Sequence, residues 1–395
     1  MGRIAKLIFC SANNNNKYYD MTEVGSEIKV KYGRVGSTEC TGSYPSYQWD
    51  KLLNSKIKKG YKDVTSLRVE KESVDFSDIT DSTISQIVTR LQSYANISIS
   101  TNYTVSSNAV TLAQVGEAQR LIDELVMLNK KEKLEYKQFD HLLLDLYQVI
   151  PRRMSDVRNY LISGGQDPLA TITNEQSLLD IMKGQVRVVA AKQRNTSDDK
   201  KTILEAMGLS LAPTTSKDEE IILDKLKETK QYYKQSWVVK NNRTEERFVD
   251  WVEKKKNKKR DLFWHGSRNE NWWSILDSGL VLRPTNVIKT GQMYGAGTYF
   301  ADKAKKSFGY TSYHGSYWAR GTESTAFMCL YDVHLGNQLK TKRHEPWMSQ
   351  LDESKLRAKG DYDSFFAEGG ADLINNEFIV YNENQSTVRY LVEFK

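Results

Sequence analysis

The period of the hydrophobic pattern changes twice along the 395 residues. A chain that passes from alternation to helical spacing and back cannot be one uniform layer of helix or sheet. At the start, "SEIKVKYGRVG" alternates. Ile28, Val30 and Tyr32 share one face, Lys29 and Lys31 the other, and Gly33 and Gly36 stop the run. That is the signature of a half-buried antiparallel strand. "YQWDKLLNSKIKKG" follows as a helix that ends at Gly60.

From about residue 78 to 212 the spacing is helical. Leu112, Val115, Ile122 and Leu125 recur at helical intervals, and so do Phe139, Leu143, Leu146 and Ile150, where Pro151 ends the pattern. Thr173 and Gln176 read as a capping box opening another helix. The polar stretch "NISISTNYTVSSNA" reads as a loop between helices, and "LAPTTSKDEE" (211–220) as a linker. Beyond it come short β-branched and aromatic runs, "LFWHGS", "GTYFAD", "FMCLYDVHLG", "EFIVYN" and "VRYLVEFK", the texture of an α+β or mostly β domain. The expected fold class is multidomain α+β, divided at residues 1–78, 79–212 and 213–395.

Composition narrows the function. No apolar run reaches transmembrane length and the first residues lack a secretory cleavage pattern. The expectation is a soluble intracellular protein without membrane partners, in the nucleus of a eukaryotic cell or the cytoplasm and nucleoid of a bacterium. Cys10, Cys40 and Cys329 are scattered, and no two of the five histidines have helical metal-ligand spacing. No metal is therefore expected. The net charge of +7 permits an acidic partner. The basic cluster "KKKNKKR" (254–260) reads as a solvated turn.

"YGAGTYFADKAKKSFGY" (294–310) resembles a phosphate loop only superficially. Phe300 stands where a third glycine is needed, and no apolar strand precedes it. A flat-ligand pocket fits better. Tyr299 and Tyr310 are eleven positions apart, and a helix starting at Asp302 would put Ser307 and Tyr310 on one face. Two aromatic faces and a hydroxyl can clamp and orient a planar amide. His265, at the end of an apolar strand, and Glu377, at the start of another, complete a set of three polar residues, each in its own strand.

These segments carry a resemblance. Residues 262–395 resemble the catalytic domain of the poly(ADP-ribose) polymerases, a mixed α/β ADP-ribosyltransferase of diphtheria-toxin type with a His-Tyr-Glu triad. "LFWHGSR" resembles its histidine strand, "TGQMYGAGTYFADKAKKSFGY" its acceptor-loop and tyrosine segment, and "NNEFIVYN" its glutamate strand. The resemblance implies NAD+ as substrate and His265, Tyr299 and Glu377 as the catalytic set. It implies that His265 binds the adenosine-side ribose, that Gly266 and Ser307 hold the nicotinamide carboxamide, and that Tyr310 and Tyr299 flank the ring. Ser267 and Asn271 would lie toward the adenosine, and Met293 at the acceptor site. The family's arginine after "GL" falls on Val281, which leaves Arg283 as its substitute.

Upstream, "SANNNNKYYDMTEV", "KVKYGRVGST" and "KKGYKDV" resemble a WGR domain, with Tyr32-Gly33-Arg34 in place of Trp-Gly-Arg. The resemblance implies a small antiparallel-sheet domain that grips broken DNA through Lys29, Lys31, Tyr32 and Arg34. The helices between resemble the family's regulatory bundle, at "LYQVIP" and "SLLDIM". The expected function is a poly(ADP-ribose) polymerase activated by DNA strand breaks, modifying itself and other proteins. The alternatives are a mono-ADP-ribosyltransferase acting on protein or nucleic-acid ends, and an inactive DNA-end-binding scaffold.

Overall fold

The computed structural model describes residues 2–65, 75–131, 134–195, 200–282 and 293–395. The chain divides into two compact units, each built from two stretches of sequence. The first combines Met1–Glu72 with Asn96–Gln193, and the second Ser73–Ala95 with Arg194–Lys395.

The first unit opens with β1 (Ile4–Ser11), β2 (Asn15–Val24), β3 (Glu27–Arg34), β4 (Cys40–Pro45), α1 (Trp49–Lys58) and β5 (Lys62–Asp63). The strands form an antiparallel sheet in the order β4-β3-β2-β1-β5. Alternation does what it must in a sheet with one covered face. Ile28 and Val30 join Leu7, Tyr19, Met21 and Trp49 in the core, while Lys29 and Lys31 are exposed. Gly60, with φ +89°, ends α1 as read from the sequence. The helices are the C-terminal part of α2 (Ser82–Asn102), α3 (Leu112–Asn129), α4 (Tyr136–Val149) and α5 (Pro168–Lys192). Val115, Ile122 and Leu125 are buried, as are Phe139, Leu143, Leu146 and Ile150, but Leu112 is half exposed at its helix start. A buried pair, Arg152 and Glu175 at 3.3 Å, lies among these helices.

Three expectations are corrected. Asn96–Asn102 continues α2 instead of forming a loop. Leu91, Ala95 and Ile99 recur every fourth residue and are all buried, so periodicity outweighs the polar residues between them. Helix α5 begins before Thr173, at Pro168, capped by the Asp167 carboxylate on the Ala170 N–H. Gln176 instead exchanges hydrogen bonds with the Gln119 side chain at 2.8 and 2.9 Å. The third correction is that 211–220 is no linker. Leu209–Pro213 is strand β6, and Thr215 caps α7 (Ser216–Leu226) in a capping box with Asp218.

The second unit continues with α6 (Ile203–Met207), β6, α7, β7 (Tyr233–Asn241), α8 (Asn242–Glu253), β8 (Arg260–Gly266), α9 (Trp272–Ser278), β9 (Thr298–Phe300), α10 (Ala304–Phe308), β10 (Ala326–His334), β11 (Gln338–Thr341), α11 (Glu353–Ala358), β12 (Ser364–Ala367), β13 (Glu377–Val380) and β14 (Ser386–Phe394). Two sheets result, ordered β6-β7-β14-β10-β8 and β11-β12-β13-β9. Only β11 and β12 pair in parallel among the described ladders. Every residue of β10 is buried, which is why "AFMCLYDVH" reads as a nearly continuous apolar run. Among the described residues the sheets join at one bridge, where Trp264 and Ala301 exchange backbone hydrogen bonds of 2.8 and 3.0 Å.

The N-terminal part of α2 also belongs to this unit. Arg90 pairs with the fully buried Glu393 of β14 at 2.8 Å, and Lys234 and Gln235 of β7 donate to the same carboxylate. Burial works against that charge, but the three donors prevail and hold the Glu393 carboxyl below its ordinary range. The basic cluster at 254–260 is only partly a solvated turn. Lys255 pairs with Asp363 at 2.7 Å over the Trp251 ring, and the Asn257 carbonyl lies 2.7 Å from Nε2 of buried His334. Among the described residues no helix is long and apolar enough to cross a membrane.

Candidate active site

The candidate residues gather where the two sheets meet. His265 and Gly266 end β8, one position beyond the Trp264–Ala301 bridge, and Tyr299 sits in β9 on the other side of it. Register places Ile379 of β13 opposite Tyr299, which carries Glu377 two residues before it to the same end of the sheet. Nδ1 of His265 lies 3.1 Å from the Tyr299 carbonyl oxygen, so the strand that carries the tyrosine orients the imidazole.

The glycines of "YGAGTYF" serve this junction. Gly295 has φ +79°, and a Cβ there would come 2.1 Å from the Leu351 carbonyl oxygen. A Cβ on Gly297 would strike Ile379 at 2.3 Å. The Tyr299 hydroxyl closes the turn, donating to the Gly295 carbonyl at 2.9 Å and accepting from the Tyr294 N–H at 3.1 Å. Burial pushes that hydroxyl well above its ordinary pKa, so it remains a neutral donor. The glycine pair is a turn that seats Tyr299.

Gly266 sets the depth of the site. A Cβ would lie 1.9 Å from the Ser307 carbonyl oxygen, so β8 and α10 can approach this closely only through glycine. Ser307 is buried, and its hydroxyl donates to the Trp264 carbonyl at 3.2 Å. Helix α10 starts at Ala304, later than the expected Asp302, and Tyr310 falls just beyond its end. Tyr310 is 43% exposed, so part of it remains open to a ligand. Asn271 Nδ2 donates to Ser267 Oγ at 3.0 Å beside the end of β8. Met293 packs against the cluster of Tyr294, Met348 and Phe365. Arg283 lies outside the described residues.

Glu377 is 8% exposed. One carboxylate oxygen accepts from Lys306 Nζ; the other, Oε2, is buried and has no hydrogen-bond partner. A buried carboxylate oxygen without a donor is costly unless something supplies one. Lys306 escaped notice in the sequence because it stands in a basic run, "KAKK". Its position immediately before Ser307, on the helix that Gly266 packs against, was the available signal. Burial depresses the Lys306 ammonium pKa and Glu377 only partly restores it. Asn376 extends the network by donating to Asp302 at 2.7 Å.

In the first unit, Lys29 and Lys31 are exposed, with Lys31 2.9 Å from Glu39, and Tyr32 is 38% exposed against the ring of Tyr19. Arg34 is engaged internally. Its guanidinium donates to the Asn14 carbonyl and side chain and to the Ser155 carbonyl, each at 2.8 Å. Among the described residues no cluster of three or more His, Cys, Asp or Glu is arranged to hold a metal.

Residues 216–395 match the family model described as the poly(ADP-ribose) polymerase catalytic domain. A "putative poly [ADP-ribose] polymerase-like" protein, 100L of Invertebrate iridescent virus 6, is 32% identical over 177 residues, 43% of this chain and 90% of that protein. The chain belongs to the poly(ADP-ribose) polymerase family. A second protein of that virus, "uncharacterized protein 101L", is 36% identical over 183 residues, 46% of this chain and 77% of its own length. Human poly [ADP-ribose] polymerase 2 is 32% identical over 158 residues, 34% of this chain but 26% of the human protein. As a member of the family the chain is an NAD+ ADP-ribosyltransferase, and NAD+ is its substrate.

Proposed function

We propose that this transferase is a poly(ADP-ribose) polymerase activated by DNA strand breaks, modifying itself and other proteins. The observation that carries the reading is the unpartnered Oε2 of Glu377, buried beside Tyr299 and Tyr310. A ribose hydroxyl is the donor it lacks. Cleavage of the nicotinamide–ribose bond builds positive charge on the ribose, as in glycoside cleavage. A fixed carboxylate stabilises that charge and accepts a proton from the incoming hydroxyl. When that hydroxyl belongs to a ribose already transferred, the chain grows; a Glu here, in place of Ile, Leu or Tyr, favours elongation.

In this reading His265 holds the adenosine-side ribose, and the Gly266 backbone and Ser307 hold the carboxamide. Tyr310 and Tyr299 flank the nicotinamide, Ser267, Asn271 and Arg283 lie toward adenosine, and Met293 faces the acceptor. The first sheet acts as a WGR-like reader of DNA breaks through Lys29, Lys31, Tyr32 and Arg34. The helices of residues 79–212 restrain the catalytic cleft until DNA is bound.

The test is labelled NAD+ incubated with the purified chain, with and without nicked duplex DNA, resolved on a denaturing gel. The expected result is a DNA-dependent smear, reduced about 10²-fold or more in Glu377→Gln. A single sharp band would mean transfer of one unit, and absence of label with DNA still shifted would leave a DNA-binding scaffold.

A further inference from the structure

Three exposed aromatic side chains lie side by side, one of them the candidate ring-stacking residue Tyr310. Tyr310 is 43% exposed, Trp318 63% and Tyr317 77%. Trp318 lies nearly parallel to Tyr310, with 18° between planes and centroids 6.1 Å apart, and Tyr317 meets Trp318 edge-on at 4.6 Å. So much apolar area left in water is unfavourable unless it is used.

The backbone fixes the ladder. The N–H groups of Trp318 and Ala319 both donate to the Gly309 carbonyl, at 2.9 and 3.0 Å. Trp318 crosses Gly309 so closely that a Cβ there would lie 3.2 Å from the indole. Arg268, two residues past the end of β8, holds the Ala319 carbonyl at 2.8 Å. Ser316 Oγ donates to the Thr311 carbonyl at 2.7 Å and accepts from the Gly321 N–H at 2.9 Å. Such stitching holds the indole beside the Tyr310 ring.

We propose that Trp318 is a positioning residue for the planar amide end of the substrate, bracing the Tyr310 ring so that its free face is preorganised for nicotinamide. The inference rests on Tyr310 as the stacking residue of the proposed site. A tyrosine with an exposed ring samples several rotamers, and binding must pay for fixing one. An aromatic brace removes that cost before the ligand arrives. The contribution belongs to binding, so it enters KM and leaves the chemical step alone.

The test uses the full chain and two readouts, steady-state NAD+ kinetics and the inhibition constant of benzamide, a planar aromatic amide. Trp318→Ala is expected to raise both KM and the benzamide constant about five- to tenfold, the scale of one aromatic contact, with kcat little changed. Trp318→Phe is expected to restore both. Tyr310→Ala serves as reference and should weaken both by more. If Tyr310→Ala weakens binding and Trp318→Ala does not, the brace is overturned while the pocket stands. If neither variant changes either constant, the pocket assignment fails and the inference with it. A fall in kcat that Trp318→Phe leaves uncorrected would show general damage to the loop and would also overturn it.

Discussion

At the scale of single residues, the pair Lys306–Glu377 decides how the site responds to pH. The ammonium is depressed by burial, so it loses its proton below the ordinary lysine value of 10.5. Between the depressed value and 10.5 the folded state has released a proton that the unfolded chain still holds. Stability therefore rises with pH across that window, and a loss of rate there is a charge effect at Glu377 and not unfolding. Activity is expected to fall on the alkaline side below pH 10.5. Lys306→Met should be slower at every pH and lack that limb, with thermal melts confirming that both proteins stay folded. His265, Tyr299 and Glu377 could be proposed from the sequence because each sits in a recognisable strand string, in β8, β9 and β13. The sequence hid Lys306, whose role depends on a helix lying across another strand, and Trp318, whose ring stack depends on a loop returning to Gly309.

At the scale of elements, the middle of the chain was the hardest to read. Alternation in β3 and helical spacing in α3 and α4 are local signals, and all three elements form where the spacing puts them. The end of α2 and strand β6 are obscured locally. Serines, threonines and asparagines dilute the end of α2, and β6 carries a proline and sits in a stretch that reads as a linker. The four-residue spacing of Leu91, Ala95 and Ile99 still carries the end of α2, with Arg90 meeting Glu393 far off in sequence, and β6 forms by pairing along β7. Replacing Arg90 by Met should destabilise the catalytic unit by about 1–2 kcal/mol. The figure is modest because the guanidinium side chain is 34% exposed and Lys234 and Gln235 remain on the carboxylate. Equilibrium urea unfolding of the single variant against wild type measures it.

At the scale of the whole molecule, the two units predict which variants separate function from folding. Deleting residues 80–212 would remove Ile84, Ile87, Val88 and Leu91 together with β6, all of which belong to the catalytic unit. That deletion is expected to lose activity through misfolding. Replacing 96–193 by a short Gly/Ser linker spares them and is the variant expected to show DNA-independent transfer. Activity that stays DNA-dependent in a folded version would sink the restraining role. In the first unit, Lys29→Ala with Lys31→Ala should weaken binding to nicked duplex and reduce the slope of log affinity against log salt by about 1–2. Arg34→Ala should weaken DNA binding and also lower the melting temperature, because its guanidinium holds Asn14 and Ser155 in place. Salt titrations of DNA affinity alongside thermal melts tell the two effects apart.

The carboxylate that receives Arg90 also sets an order of events on the ribosome. Glu393 belongs to β14, which follows every other strand of its sheet in the sequence yet lies in its interior, between β7 and β10. Translation delivers the first unit complete while the N-terminal part of α2 still waits for its partner. Through the synthesis of the following two hundred residues or so, Leu91 and its neighbours must stay unburied or be shielded by a chaperone. The nascent chain is thus expected to hold a finished first unit beside an unfinished catalytic one, and to gain transferase activity only after β14 has emerged from the exit tunnel.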